Sequence, residues 1–386
     1  MSIVQYHSTP PKGSNTDFKP EKDVEFELNF SGRNLLMGSV AIEADLITYE
    51  AAATVLTTKK IQLDGKIGCH GLFSNWKVTS QLQQQLELID EYPRFVRMNA
   101  DSNLSASDLL NSEYVCELRA PTDDLQALCL RQRVPRDFGN GNAFGSITKA
   151  KGERNPDFVL KPMICLNRPV VAGSQLPFRQ VGTITVSGNL TRALHALYGP
   201  ECASNSSYKI ENVRMNFTSY PDMGEPLSPI NFRSYTVIQS EIVSNLSNIS
   251  STVPSVCDGV AISYVKTDNR TDATKILRNC DTQLDRPENV KSIKFMFNDS
   301  TTDGISYEIT TQEEMIYRGL QALNGNKNND VQLQRIYAND GVIHGMYFGN
   351  AVNLATSKFN IQLSSDVTNS KAYTMFCYFN SIKQIN

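Results

Sequence analysis

The feature that most constrains this chain is a hydrophobic period of two. In ITVSGNL, residues Ile184, Val186, Gly188 and Leu190 fall on one parity while Thr185, Ser187 and Asn189 fall on the other, the pattern of a strand with one buried face. Similar segments recur as VEFELNF from Val24, GSVAIEADLITYE from Gly38, GKIGCHGLFSNWKVTS from Gly65, FVLKPMICL from Phe158 and YKIENVRMNFTSY from Tyr208. They carry β-branched and aromatic residues and are punctuated by Gly, Pro, Asn and Asp. Helical patterns are few. Ser105 to Arg119, Thr122 to Arg133 and Asn189 to Tyr198 read as short excursions, and Thr311 to Asn324 opens on a Thr311/Glu314 capping box and closes at Gly325.

A chain of 386 residues exceeds one ordinary core and suits two. An internal echo supports two similar halves. LNFS at 28 returns as MNFT at 215, an offset of 215 − 28 = 187, and Gly71-Leu72 to Trp76 matches Gly259-Val260 to Tyr264 at 259 − 71 = 188. Nearly equal offsets are what a duplicated domain leaves behind. The expected organisation is an N-terminal arm over 1–22, rich in Pro and polar residues and ordered only against a partner, then one β-domain over 23–204 and another over 205–386. Many short strands with few helices, twice over, point to an all-β protein built of two β-sandwiches of Greek-key or jelly-roll type.

Composition narrows the function more than any motif does. The 37 Lys and Arg against 40 Asp and Glu give a net charge of −3, so no polycation for nucleic acid is present. No segment has the apolar length of a signal peptide or a membrane span. The eight cysteines, Cys69, Cys116, Cys129, Cys165, Cys202, Cys257, Cys280 and Cys377, lack Cys-x-x-Cys spacing and are expected to be reduced core thiols. Sequons such as Asn189, Asn216 and Asn248 follow from an Asn-, Ser- and Thr-rich composition.

Candidate chemistry reduces to structural roles. GNGNAFG, Gly139 to Gly145, has the wrong spacing for a dinucleotide fingerprint and reads as a surface loop. The four histidines, His7, His70, His195 and His344, share no metal-ligand spacing. Asp123 and Asp124, directly after Thr122, complement a helix N-terminus. The basic run Arg131 to Arg136 reads as a solvated or interface patch. No residue is assigned a catalytic, cofactor-binding or metal-binding role, and no cofactor is expected. The strand AYTMFCYF, Ala372 to Phe379, is apolar on both faces, so its inner face suits a core and its outer face a further buried contact, for which a subunit interface is the sharper reading.

Two ordered constellations resemble the double jelly-roll major capsid proteins of icosahedral double-stranded DNA viruses. One is GCHGLFSNWKVTS followed by LELIDEYPRF (Gly68 to Ser80, Leu86 to Phe95). The other is FVLKPMICLNRP followed by LPFRQVGTITVSGNL (Phe158 to Pro169, Leu176 to Leu190). The second roll would open near YKIENVRMNF and close on FNIQLSS and the Tyr373 to Phe379 strand. The resemblance implies two consecutive eight-stranded jelly-roll sandwiches with short helical insertions. It also implies a non-enzymatic virion protein that forms pseudo-hexagonal homotrimeric capsomers, with neighbouring capsomers, penton and minor capsid proteins as partners and an internal membrane within reach of the N-terminal arm. The alternative is a receptor- or glycan-binding β-sandwich. Exposed aromatics would favour it, whereas Trp76, the one tryptophan, sits inside an expected strand.

Overall fold

The computed structural model describes residues 3–51, 54–55, 63, 67–82, 84–103, 158–197, 204–224, 226–251, 256–271, 284–297, 305–324, 343–353 and 358–385. The expected helices over 105–119 and 122–133, the loop Gly139 to Gly145, the pair Asp123 and Asp124 and the run Arg131 to Arg136 lie outside the described residues.

The first half contains β1 (Gln5–Thr9), β2 (Asp17–Phe18), β3 (Asp23–Leu28), β4 (Arg33–Leu36), β5 (Ala41–Ala51), β6 (Thr54–Val55), β7 (Phe73–Ser80) and β8 (Gln84–Ile89). Helix α1 (Tyr92–Asn103) follows, then β9 (Phe158–Leu160), β10 (Gln175–Pro177), β11 (Ile184–Leu190) and β12 (Ser207–Pro221). The second half contains β13 (Ile230–Ile242), β14 (Leu246–Ser251), β15 (Val256–Lys266), β16 (Ser292–Phe297), β17 (Ile305–Ile309), helix α2 (Gln312–Asn324), β18 (Ile343–Asn353), β19 (Phe359–Ser364) and β20 (Tyr373–Ile385).

Pairing turns these strands into two sandwiches of the same order. In the second half the sheets run β13-β20-β15-β18 and β14-β19-β16-β17. Counted within that half, the order is 1-8-3-6 and 2-7-4-5, that of a jelly roll. In the first half β12 lies between β1 and β2 on one side and β4 and β5 on the other, and β9 and β10 flank β5 and β4. The facing sheet is β3-β11-β7-β8. If β1/β2, β4/β5 and β9/β10 each count as one broken strand, the order is again 1-8-3-6 and 2-7-4-5.

This topology corrects three expectations. The expected arm over 1–22 is not detached where it is described, from residue 3 on: all five residues of β1 pair with Met215–Ser219, and the His7 ring stacks 4.9 Å from Phe217 and lies 4.0 Å from Phe30. The strand Ser207–Pro221 does not open the second half but closes the first, pairing with β5 from Tyr49 to Ala41, so the boundary moves from 204/205 to the connection between Pro221 and Ile230. The sequence echo, too, does not mark equivalent positions. LNFS and MNFT fall at β3 and β12 of one sandwich, while Gly71 to Trp76 leads into β7 and Gly259 to Tyr264 lies in β15. Equivalent strands are separated unevenly, by 246 − 23 = 223 at β3 and β14 and 373 − 207 = 166 at β12 and β20, because the connections differ in length. The repeat survives in topology only.

The helices obey local rules more closely. Helix α2 occupies the capping-box segment as expected. The expected helix from Asn189 shrinks to Ala193–Ala196, because Asn189 and Leu190 are taken by the β11–β7 ladder. Phe178–Val181 is a helical turn ended by Gly182 at φ +68°, where Gly is favoured.

Candidate functional site: the seam between the two halves

Strand β20 explains how the halves are joined. Its residues Met375, Cys377 and Phe379 enter the core of the second sandwich with Ile262, Tyr264 and Phe295. Phe376 and Tyr378, on the opposite face, belong to the core that also contains Phe95 and Val96 of the first half. The subunit-interface reading of that outer face is therefore corrected: the first half of the same chain covers it.

The seam is aromatic at its centre and ionic around it. The Phe95 ring lies 4.4 Å from that of Tyr235 and 5.8 Å from that of Tyr378. Arg94 sits 4.6 Å over Phe376, and Arg270 reaches the same ring at 5.0 Å, a cation–π arrangement strengthened by burial. Glu87, fully buried, is the hub: Oε1 accepts from Arg168 Nη2 and, at 3.1 Å, from the Tyr235 amide, while Oε2 accepts from the Cys165 amide at 2.5 Å. Burial opposes the charge on Arg168, but the adjacent carboxylate outweighs it and holds the guanidinium protonated. Burial likewise pushes the Tyr235 hydroxyl above its usual range.

The remaining contacts bind one flank to one face. Lys383 Nζ donates to the Leu86 carbonyl at 3.0 Å, Tyr378 Oη to the Glu91 carbonyl at 3.1 Å, and Arg270 Nη2 to Glu91 Oε1 at 2.7 Å. The edge of β13 is capped by main chain: Val170 N donates to Asn231 O and Arg233 N to Arg168 O, each at 3.1 Å. First-half strand β8 and the segment around Arg168 thus close against the outer edge and face of β13, β20 and β15. A sequence scan sees Glu87 only as a charge in an apolar strand. In QQLELI it alternates with Leu86 and Leu88 and so reads as a solvent-face residue; only the fold shows it buried, where its charge requires a partner. Helix α1, absent from the sequence expectations, was signalled by Pro93 in its first turn.

The other singled-out residues have structural roles. His70 Nδ1 lies 2.7 Å from Tyr92 Oη, and His344 Nδ1 lies 2.9 Å from Tyr264 Oη. Burial, with nearby Arg286, lowers the His344 pKa to about 3, so its imidazole is neutral. Trp76 is buried against Phe73 at 4.6 Å, away from any sugar-stacking surface. The amides of Asn189 and Asn216 donate to Asp23 and Glu43 at 2.8 and 2.7 Å. Cys69, Cys165, Cys257 and Cys377 are buried thiols, and the other four cysteines lie outside the described residues. Among the described residues no group of three His, Cys, Asp or Glu side chains could hold a metal ion.

No protein-family profile matches the sequence, and no curated protein matches it. Solved structures match over the whole chain. PBCV-1 VP54, as fitted into a reconstruction of the virophage Sputnik, aligns with a TM-score of 0.59 over 100% of this chain and 95% of its own, at 10% identity. The Faustovirus major capsid protein aligns at 0.56 over 100% and 90%, again at 10% identity. The chain has a double jelly-roll fold. The mavirus major capsid protein aligns at 0.55 over 98% and 86%, at 10% identity. At such identities the likeness is one of fold: what this double jelly roll shares with those proteins is the pair of sandwiches.

Proposed function

We propose that this double jelly roll is a major capsid protein whose homotrimers form pseudo-hexagonal capsomers tiling an icosahedral virion shell. The observation that carries the reading is the seam. It joins unlike surfaces, the β8 flank of one roll and the β13-β20-β15 face of a roll of the same topology. A heterologous contact of this kind leaves one flank and one face over, and when repeated by rotation it closes into a ring. Three chains would place six rolls around such a ring, and a hexagonal block packs a shell with few gaps. The fold shared with viral major capsid proteins supports the same reading.

Chemistry is not needed for this role, whereas stiffness is, and the buried Glu87–Arg168 pair and the aromatic seam supply it. The partners are further copies of the chain within and between capsomers, together with penton and minor capsid proteins. Contact with an internal membrane through residues 1–22 is not retained, because β1 and β2 are strands of the first roll. Size exclusion with light scattering tests the reading: the expected mass is about three times the 43.0 kDa chain, and electron microscopy should show six-sided particles. A monodisperse monomer at tens of micromolar would overturn it.

A further inference from the structure

The seam also shows what is missing elsewhere. In the second roll the outer edge of the first strand, β13, is covered: the Tyr235 amide reaches Glu87, and Arg233 N and Asn231 O are satisfied by the segment at Arg168 to Val170. The equivalent strand of the first roll is β1. Among the described residues β12 is its only strand partner, and none of them pairs with its other edge. Natural sheets guard such edges with charge, proline or a covering segment. Gln5–Thr9 holds none of these; within it Tyr6 is 86% exposed, and just before it Ile3 is 66% exposed.

Charge matches as well. In the seam, the flank of the first roll brings Glu87 and Glu91 to the second roll, where Arg270 pairs with Glu91. The corresponding flank of the second roll, β17 and the start of α2, brings exposed Glu308 and Glu313. Two arginines reach β1 from the strands behind it: Arg33 of β4, held by Ser219 at 2.6 Å from Nε to Oγ, donates from Nη2 to Ile3 O at 3.0 Å, and exposed Arg214 of β12 donates from Nη1 to Ser8 Oγ at 3.2 Å. We infer that the outer edge of β1 docks the β17 flank of a second copy of this chain, with exposed Glu308 meeting exposed Arg214. The inference rests on the capsomer reading and names the surface that would close the ring.

The test places a photo-activated benzophenone side chain at position 6 in a mixture of isotopically light and heavy chains. Cross-linked peptides joining position 6 to residues 305–318 of the other isotope are expected. Independently, Arg214→Glu or Glu308→Arg alone should weaken association at least tenfold, and the two together should restore most of it, with the thermal midpoint of the isolated Glu308→Arg chain unchanged because that side chain is exposed. A trimer whose cross-links from position 6 fall elsewhere, or whose association ignores both charge reversals, overturns this docking surface and leaves the capsomer reading standing. A wild-type chain that stays monomeric overturns both.

Discussion

The guanidinium of Arg168, from the first roll, lies 4.6 Å over the ring of Tyr235, from the second, while its Nη2 donates to buried Glu87. One carboxylate thus neutralises a buried cation, accepts two main-chain amides and spans both rolls.

Replacing Glu87 by Gln should therefore be costly. It leaves the Arg168 charge buried without its counter-ion, a change worth about 3 to 5 kcal/mol. Denaturant unfolding should show a fall of this order. The double variant Glu87→Gln with Arg168→Met should recover part of it, since the uncompensated charge is then gone.

Phe376 separates an intrachain seam from an intersubunit one. Phe376→Ala removes a fully buried ring that carries Arg94 and Arg270, and about 3 to 5 kcal/mol should be lost. The loss should not depend on protein concentration. A loss relative to wild type that changed as the protein was diluted would place this face between subunits instead.

Helix α2 rests on β18 at Gly319. A Cβ built there would lie 2.4 Å from the carbonyl oxygen of Ile343, closer than any relaxed contact, and backbone cannot swing aside as a side chain can. Gly319→Ala gains helix propensity of up to about 1 kcal/mol, yet overpacking of about 1 to 3 kcal/mol or more should dominate. A lower thermal midpoint is expected.

The pH dependence follows from His344. Its folded pKa of about 3 lies below the ordinary value of 6.5, chiefly through burial, so the unfolded chain takes up the proton first. Its contribution to stability is complete above about 6.5 and is lost as pH falls towards about 3, on the order of 1 kcal/mol per pH unit. Unfolding of wild type and His344→Gln at pH 7.0, 5.5 and 4.5 should show the variant less stable at neutral pH and the gap narrowing or reversing in acid.

The N-terminal strand should be protected in the isolated chain. Deleting residues 1–9 removes the β1 ladder and the His7 ring from Phe217. Limited proteolysis should leave residues 5–9 of the intact chain resistant, and the truncated chain should be cut faster in the first roll.

The sequence by itself determined the class of structure. Period-two segments such as Ile184 to Leu190 set the strands and their buried parity, because a one-residue slip would turn every apolar side chain to the wrong face. Local spacing also marked α2, since Thr311-x-x-Glu314 signals a helix start in sequence, although in the fold Glu314 accepts from Tyr307 Oη at 2.8 Å. The two-faced apolar pattern of Tyr373 to Phe379 announced two buried faces, but it could not say what lies beyond the outer one. Only the tertiary structure decided that Phe376 and Tyr378 meet Phe95, Arg94 and Glu91, that Ser207–Pro221 closes the first roll, and that β1 is its first strand. Those pairings join residues far apart in sequence, from Ser207 with Tyr49 (207 − 49 = 158) through His7 with Ser219 (separation 212) to Glu91 with Tyr378 (separation 287). Period two fixes which face of a strand is buried and is silent on its neighbour. That choice is made by the register and by partners such as Glu87 and Arg168, whose value appears only once the chain has brought them together.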